Sequence, residues 1–277
     1  MTETLLFLSA PLAASIILAG ILGYFGSHIL SRGIIFIDIA LAQIAALGTM
    51  IGLIMGFGEE SLGLQLISYF FTVLIITAYV FLRSGRPVLP QEAVIGIIYC
   101  VGLTFALILA EQIPGGSNYI TKTITGNILW VTWDKILGCM ILFLAVGLLH
   151  VFLGRSFIRF SDHSDRTLAV SWKDRLIEWL FYVSFGIIVV KAVLIGGVFL
   201  VFTLLIAPSA AATLFTASWR KRIVWSWIIG IIGSVAGIFL SYYLNISNGP
   251  AIVCLLSMLV FILAFTRLAM PQNNYSR

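Results

Sequence analysis

The side chains able to do chemistry in this sequence are few, and their spacing excludes most reactions. The three histidines, His28, His150 and His163, belong to no HExxH motif and to no pair four residues apart, so no metal-hydrolase face is built. No Walker phosphate loop occurs, so ATP hydrolysis is expected in a separate subunit. Cys100, Cys139 and Cys254 fall inside apolar runs without metal-like spacing and read as small buried apolar side chains. What is left is a set of polar groups within hydrophobic runs, each costly unless paired or facing water. Asp38 and Gln43 lie early in one run, Gln65 begins the next and Glu92 precedes a third. Asp38 also has a plainer reading: an acid at a helix N-terminus, stabilised by the dipole and within reach of water. Lys191 reads as a side chain that snorkels outward. Pro208, in LLIAPSAAATLF, removes a backbone donor, and a kink or break there would line a cavity. Neither an enzyme activity nor a cofactor is expected.

The elements that must position these groups are membrane helices. The chain has 277 residues, of which 61% are hydrophobic and 10% charged; a soluble domain would carry about a quarter charged residues. The net charge of +5 comes from basic residues spread over short loops, which is not the stripe that nucleic acid requires. A helix crosses the hydrocarbon core with about 20 apolar residues, and that rule predicts an all-α, polytopic bundle of about nine spans. They cover 5–26, 34–56, 62–82, 93–109, 136–153, 176–190, 193–215, 223–244 and 250–266. The sixth and seventh form one apolar stretch, too long for a single crossing, divided at Lys191 and the pair Gly196 and Gly197. Eight spans plus a re-entrant piece is the alternative. The N-terminus, MTETLLFLSAPLAAS, lacks a basic leader and reads as the start of the first span.

Alternating loops segregate the sixteen basic residues. Thirteen collect on one side, and Lys122, Lys135 and Lys191 lie on the other. The positive-inside rule then predicts an outer N-terminus and a cytoplasmic C-terminus. The longest cytoplasmic connection, 154–175, is polar and mixed in charge, suited to a short helix against a cytoplasmic partner. No segment reads as a soluble domain, so residues 1–277 form one membrane unit that needs partners for energy. Close helix contacts are expected at Gly48, Gly52 and Gly56, at Gly233 and Gly237, and around Gly20, Gly23 and Gly26, because small residues let helices approach in lipid.

Four blocks carry a resemblance. SRGIIFIDIALAQIAALG resembles the second-span signature of the permeases of zinc, manganese and iron ATP-binding-cassette importers, and EAVIGIIY the block that opens their fourth span. GNILWVTWDKI is similar to their outer-loop block, and VLIGGVFLVFTLLIAPSAAA with NGPAIVCLLSMLVFIL to their last two signatures. The resemblance implies a type II importer in a bacterial cytoplasmic membrane. It would contain two permease copies (a homodimer), two ATPase subunits and an extracytoplasmic substrate-binding protein, and would move a divalent metal ion. It implies a substrate pathway past Asp38, Gln43 and Pro208, with Asp38 as the metal ligand. It also implies ATPase coupling within 164–173, at Asp165, Arg166, Ala169 and Ser171.

The family's second span usually carries an acid and a histidine four residues apart, GDxxxHA. Here Asp38 sets Ala42 at the histidine position, and the other register sets Gln43 there with Ile39 for the acid. Asp38 and Gln43 lie roughly 140° apart around a helix and cannot chelate together. A chelated metal or a small organic solute is therefore the alternative cargo; a secondary transporter or a membrane scaffold is the alternative class.

Overall fold

Lipid offers a backbone no hydrogen-bond partner, so every apolar run closes its bonds internally as a helix. The computed structural model describes residues 2–59, 61–82, 89–126, 128–162 and 171–269. In chain order the helices are α1 (Thr2–Arg32), α2 (Ile37–Ile54), α3 (Leu62–Leu82), α4 (Gln91–Ala110), α5 (Gly116–Thr125), α6 (Trp133–Asp162), α7 (Trp172–Phe215), α8 (Trp219–Leu244) and α9 (Asn248–Ala269). No strand occurs among the described residues. All but the ten-residue α5 are long and apolar enough to cross a membrane, which gives eight such helices.

The longest of them is two crossings. Straight, the 44 residues of α7 would extend about 66 Å, twice the hydrocarbon core. Gly197 interrupts the helix with φ 77° and ψ 164°. Phe185, in the first arm, packs on Phe25 of α1 with ring centroids 5.3 Å apart. Leu205 and Ser209, in the second arm, crowd the neighbouring Gly26. A continuous helix would separate residues 185 and 205 by about 30 Å, so the arms fold back side by side. The chain therefore makes nine crossings, divided at the glycine pair where its sequence predicts. Pro208, by contrast, stays within the second arm, and the only non-helical backbone in α7 is at Gly197. The break expected at proline occurs at glycine, because only glycine tolerates that left-handed conformation.

With α7 counted twice, alternating directions bring the α1–α2, α3–α4, α6–α7 and α7–α8 connections to one end. That end carries Arg32, Arg155, Arg159, Lys173, Arg175, Arg220, Lys221, Arg222 and Arg267 among the described residues.

Small residues set the closest contacts. A methyl on Gly48 would lie 2.9 Å from Ser68 Cα in α3, and one on Gly52 would lie 2.6 Å from Leu64 Cδ1. Gly56 does not continue this ridge: it has φ 88° beyond the end of α2, with open space around it, and serves the turn. Gly233 and Gly237 face Leu256 and Ile252 of α9. Gly23 and Gly26 abut Ser226 and Ser209, whereas Gly20 has no neighbour within 4 Å of an added methyl. At the end away from the arginines, the turn at Gly196 and Gly197 presses on Gly126, after α5, and Gly249 lies against Thr125. Backbone meets backbone there, with no room for side chains.

Helix α2 is the most enclosed short span, with buried residues on every face. It is surrounded by α3, α4 and α7. The outer surface of α6, by comparison, presents Val151 and Phe152, as a lipid-facing helix should.

Candidate functional site

A buried and a half-buried carboxylate meet the short connection between α1 and α2. Gly33 turns the chain at φ 63°, and α2 begins at Ile37 without a side-chain cap. Asp38, in its first turn, is only 2% exposed. Its carboxylate lies against the backbone N–H groups of residues 38 and 39, where the helix dipole favours negative charge, and Oδ1 has no hydrogen-bond partner. The plainer reading of Asp38 holds for the helix end but not for contact with water. Glu92, in the first turn of α4, accepts a 2.7 Å hydrogen bond from the N–H of Ile35. Its Oε2 is also buried without a partner. Carboxylate oxygens left open in this way are hard ligands suited to ions such as manganese. No group of three or more potential ligands occurs among the described residues.

The other pathway candidates divide between two interfaces. Gln43 is buried in α2, where a methyl added to Gly102 of α4 would lie 3.2 Å from its backbone carbonyl carbon. Pro208 is buried in the second arm of α7 and packs on Gly230 of α8, 3.4 Å from an added methyl there. The structure therefore brings Gln43 onto the same helix as Asp38, while Pro208 belongs to the contact with α8.

Asp165, Arg166 and Ala169 lie outside the described residues. Ser171 is the N-cap position of α7 and makes no side-chain cap bond. Arg159 at the end of α6 pairs with Asp174 at 3.0 Å, which ties the flanks of the intervening segment together.

Two features escaped the sequence reading. The first is a buried polar network joining α1, α6 and α7. Ser184 Oγ donates to the carbonyl of Phe181, so His150 Nε2–H donates to Ser184 at 2.7 Å. Nδ1 of His150 then accepts from Tyr24, at 3.0 Å. Ser161 similarly donates to Phe157 and accepts from His28 Nδ1 and Arg32 Nε at 2.8 and 3.0 Å. The Arg32 guanidinium stacks 3.7 Å above Phe181. A signal existed: Tyr24, His28 and Arg32 recur every fourth residue and so share one face of α1.

The second is a cavity of about 350 Å³ at the end opposite the arginines. Lys122, Lys135 and Lys191 all line it, with Glu59, Thr49, Gln65, Ser68, Tyr119 and Thr123. Lys191, expected to snorkel outward, lines a cavity shared with the other two lysines of that end. Its sequence neighbours gave no hint of this, since the three come from α5, α6 and α7.

Comparison with known proteins agrees with this architecture. A manganese import system permease protein, ScaB of Streptococcus gordonii, is 27% identical over 273 residues, covering 97% of this chain and 93% of that protein. The manganese transport system membrane protein MntC of Listeria innocua is 24% identical over 264 residues, covering 94% and 90%. Among solved structures, PsaBC from Streptococcus pneumoniae in complex with Fab superposes with a TM-score of 0.79 at 23% identity, covering 97% of this chain and 94% of that one. That likeness is one of fold. Residues 4–267 match the family described as the ABC 3 transport family; this chain belongs to it, as a multi-pass membrane permease of an ATP-binding-cassette system.

Proposed function

We propose that this chain is the membrane-spanning subunit of an importer for a divalent metal ion, zinc, manganese or iron, in a bacterial cytoplasmic membrane. Two permease copies work with two ATPase subunits and an extracytoplasmic binding protein. The family match over 4–267 carries the reading, and relatives named for manganese import support the cargo. The segregation of thirteen basic residues from three supports an outer N-terminus and a cytoplasmic C-terminus.

In this reading the pathway runs past Asp38 and Gln43 in the enclosed α2. Asp38 is the metal ligand, and Glu92 is a second acid at the same helix junction. Both keep a carboxylate oxygen without a partner, and a hard cation satisfies such an oxygen at less cost than burial alone imposes. Pro208 is a weak point of the second arm of α7, one backbone donor short, where movement against α8 can be absorbed. The ATPase docks on the segment with Asp165, Arg166, Ala169 and Ser171, and the Arg159–Asp174 pair transmits its displacement to α6 and α7.

The test is uptake of radioactive manganese into proteoliposomes holding this permease, its ATPase and its binding protein. ATP-dependent uptake is expected in the native complex and its loss in Asp38→Ala. Absence of metal-stimulated ATP hydrolysis in the native complex would refute the importer reading. Unchanged uptake in Asp38→Ala would remove Asp38 from the pathway.

A further inference from the structure

The cavity lined by Lys122, Lys135 and Lys191 has the wrong sign for a free metal cation. Against three ammonium groups it offers one carboxylate, Glu59, among the described residues. Lys191 is half-buried in a membrane-spanning arm, six residues before the turn at Gly197. Neither it nor Lys122 has an ion-pair partner among the described residues. A cation so placed is costly unless water or a counter-ion reaches it. The neutral part of the lining is rich in hydrogen-bonding groups. Thr49 and Ser68 both donate to the carbonyl of Ala45, which leaves their oxygens pointing no further donor at a ligand. Gln65 supplies an amide, and Tyr119 a hydroxyl. Burial pushes the Tyr119 phenol up from its ordinary value, with its hydrogen bond to Thr49 opposing, so it carries no negative charge against an anion; with the Thr49 proton given to Ala45, the phenol proton is directed to Thr49. The volume, about 350 Å³, falls within the range of small-molecule sites.

We infer that this cavity binds a small oxyanion bearing several negative oxygens, of the polycarboxylate or phosphate class, held mainly by Lys191 and Lys122. The inference rests on the proposed function only for placing the cavity on the outer face. A free polycarboxylate and an anionic lipid headgroup present the same chemistry, and the experiment separates them.

Full-length permease in nanodiscs of zwitterionic lipid is titrated calorimetrically with citrate, then with manganese chloride alone. Saturable citrate binding is expected, weakened about tenfold or more in Lys191→Gln and in Lys122→Gln, the worth of one charge-assisted contact. Lys191→Arg should retain it, and manganese alone should not compete. Lys122 is exposed, so its variant tests the site even if Lys191→Gln folds poorly. In parallel, nanodiscs containing phosphatidylglycerol are analysed for lipid retained by the purified chain. Lipid retention that disappears in both variants, without citrate binding, assigns the site to the headgroup source. The proposal is overturned if neither citrate nor anionic lipid binds, or if binding is equal in all variants. It is also overturned if the variants change only docking of the binding protein. Manganese uptake persisting without anion binding would sink this inference alone; anion binding persisting without manganese uptake would sink the metal reading alone.

Discussion

Replacing Gly197 by alanine tests the hairpin on which the nine-crossing topology depends. The residue sits at φ 77°, ψ 164°, a region open essentially to glycine only, and forcing an L-residue into it costs about 1–3 kcal/mol. The added methyl would lie 2.6 Å from Gly126 Cα and 2.7 Å from the Thr125 carbonyl carbon. Both are backbone atoms that cannot rotate away. Overpacking of this kind adds about 1–3 kcal/mol, so the expected loss is about 4 kcal/mol in total. In a chain of this size each kcal/mol moves the melting temperature by about 2–4 °C, which predicts a fall of about 8–16 °C. The assay is thermal unfolding in detergent, followed by a thiol-reactive dye that reaches buried Cys139. It is run in a background where the exposed Cys100 and Cys254 are replaced by serine. Gly147→Ala is the control, because nothing lies within 4 Å of its added methyl and its backbone is ordinary helix. It should match the parent or gain up to about 1 kcal/mol. If Gly197→Ala melts within about 2 °C of Gly147→Ala, the hairpin at Gly197 is not what holds the two arms, and the reasoning fails.

Other perturbations separate contacts that matter from contacts that do not. Glu92→Ala should lose about 1.5–3 kcal/mol, a charge-assisted bond to the Ile35 N–H, while Glu92→Gln, still an acceptor, should lose less; equal melting points would remove Glu92 as the clamp of the α1–α2 junction. His150→Ala leaves Tyr24 and Ser184 short of a partner and opens a void, so a loss of about 2–5 kcal/mol is expected in the same assay, and a neutral result would refute the network. Arg159→Ala breaks a pair whose arginine is 60% exposed, and stability should change by less than about 1 kcal/mol; a larger fall in melting temperature would show that the pair holds α6 to α7. Gly237→Val drives a branched side chain toward Ile252 Cα, 2.7 Å from the first added carbon, and should separate α8 from α9, read as faster labelling of a cysteine placed at Ile252.

Much of this architecture was legible in the sequence because a bilayer makes the rules severe. Every apolar run had to become a helix, and most of the basic residues gathered at one end. The glycines at Gly48, Gly52, Gly233 and Gly237 marked helix contacts because so little else permits close approach in lipid. Gly56 misled, because a glycine four residues beyond a ridge has the same sequence spacing whether the helix continues or has ended.

The site was legible only in part. Sequence position identified Asp38, Gln43 and Glu92 as polar groups in costly places, and showed that no acid–histidine pair could form on α2. It could not show that Asp38 and Glu92 would each be left with an empty oxygen beside one junction, since that depends on α4 packing over the α1–α2 turn. Nor could it show that the helix would continue unbroken through Pro208 while the division expected at the glycine pair fell on Gly197. A helix absorbs proline when neighbouring segments tolerate the missing donor, whereas only backbone packing at Gly126 and Gly249 demanded a left-handed glycine. Composition and span lengths thus determined what kind of protein this is and where its long apolar stretch divides. The convergence of Lys122, Lys135 and Lys191 on one cavity, from three different helices, was decided only by the tertiary structure, because periodicity describes one helix face and never says which faces will meet.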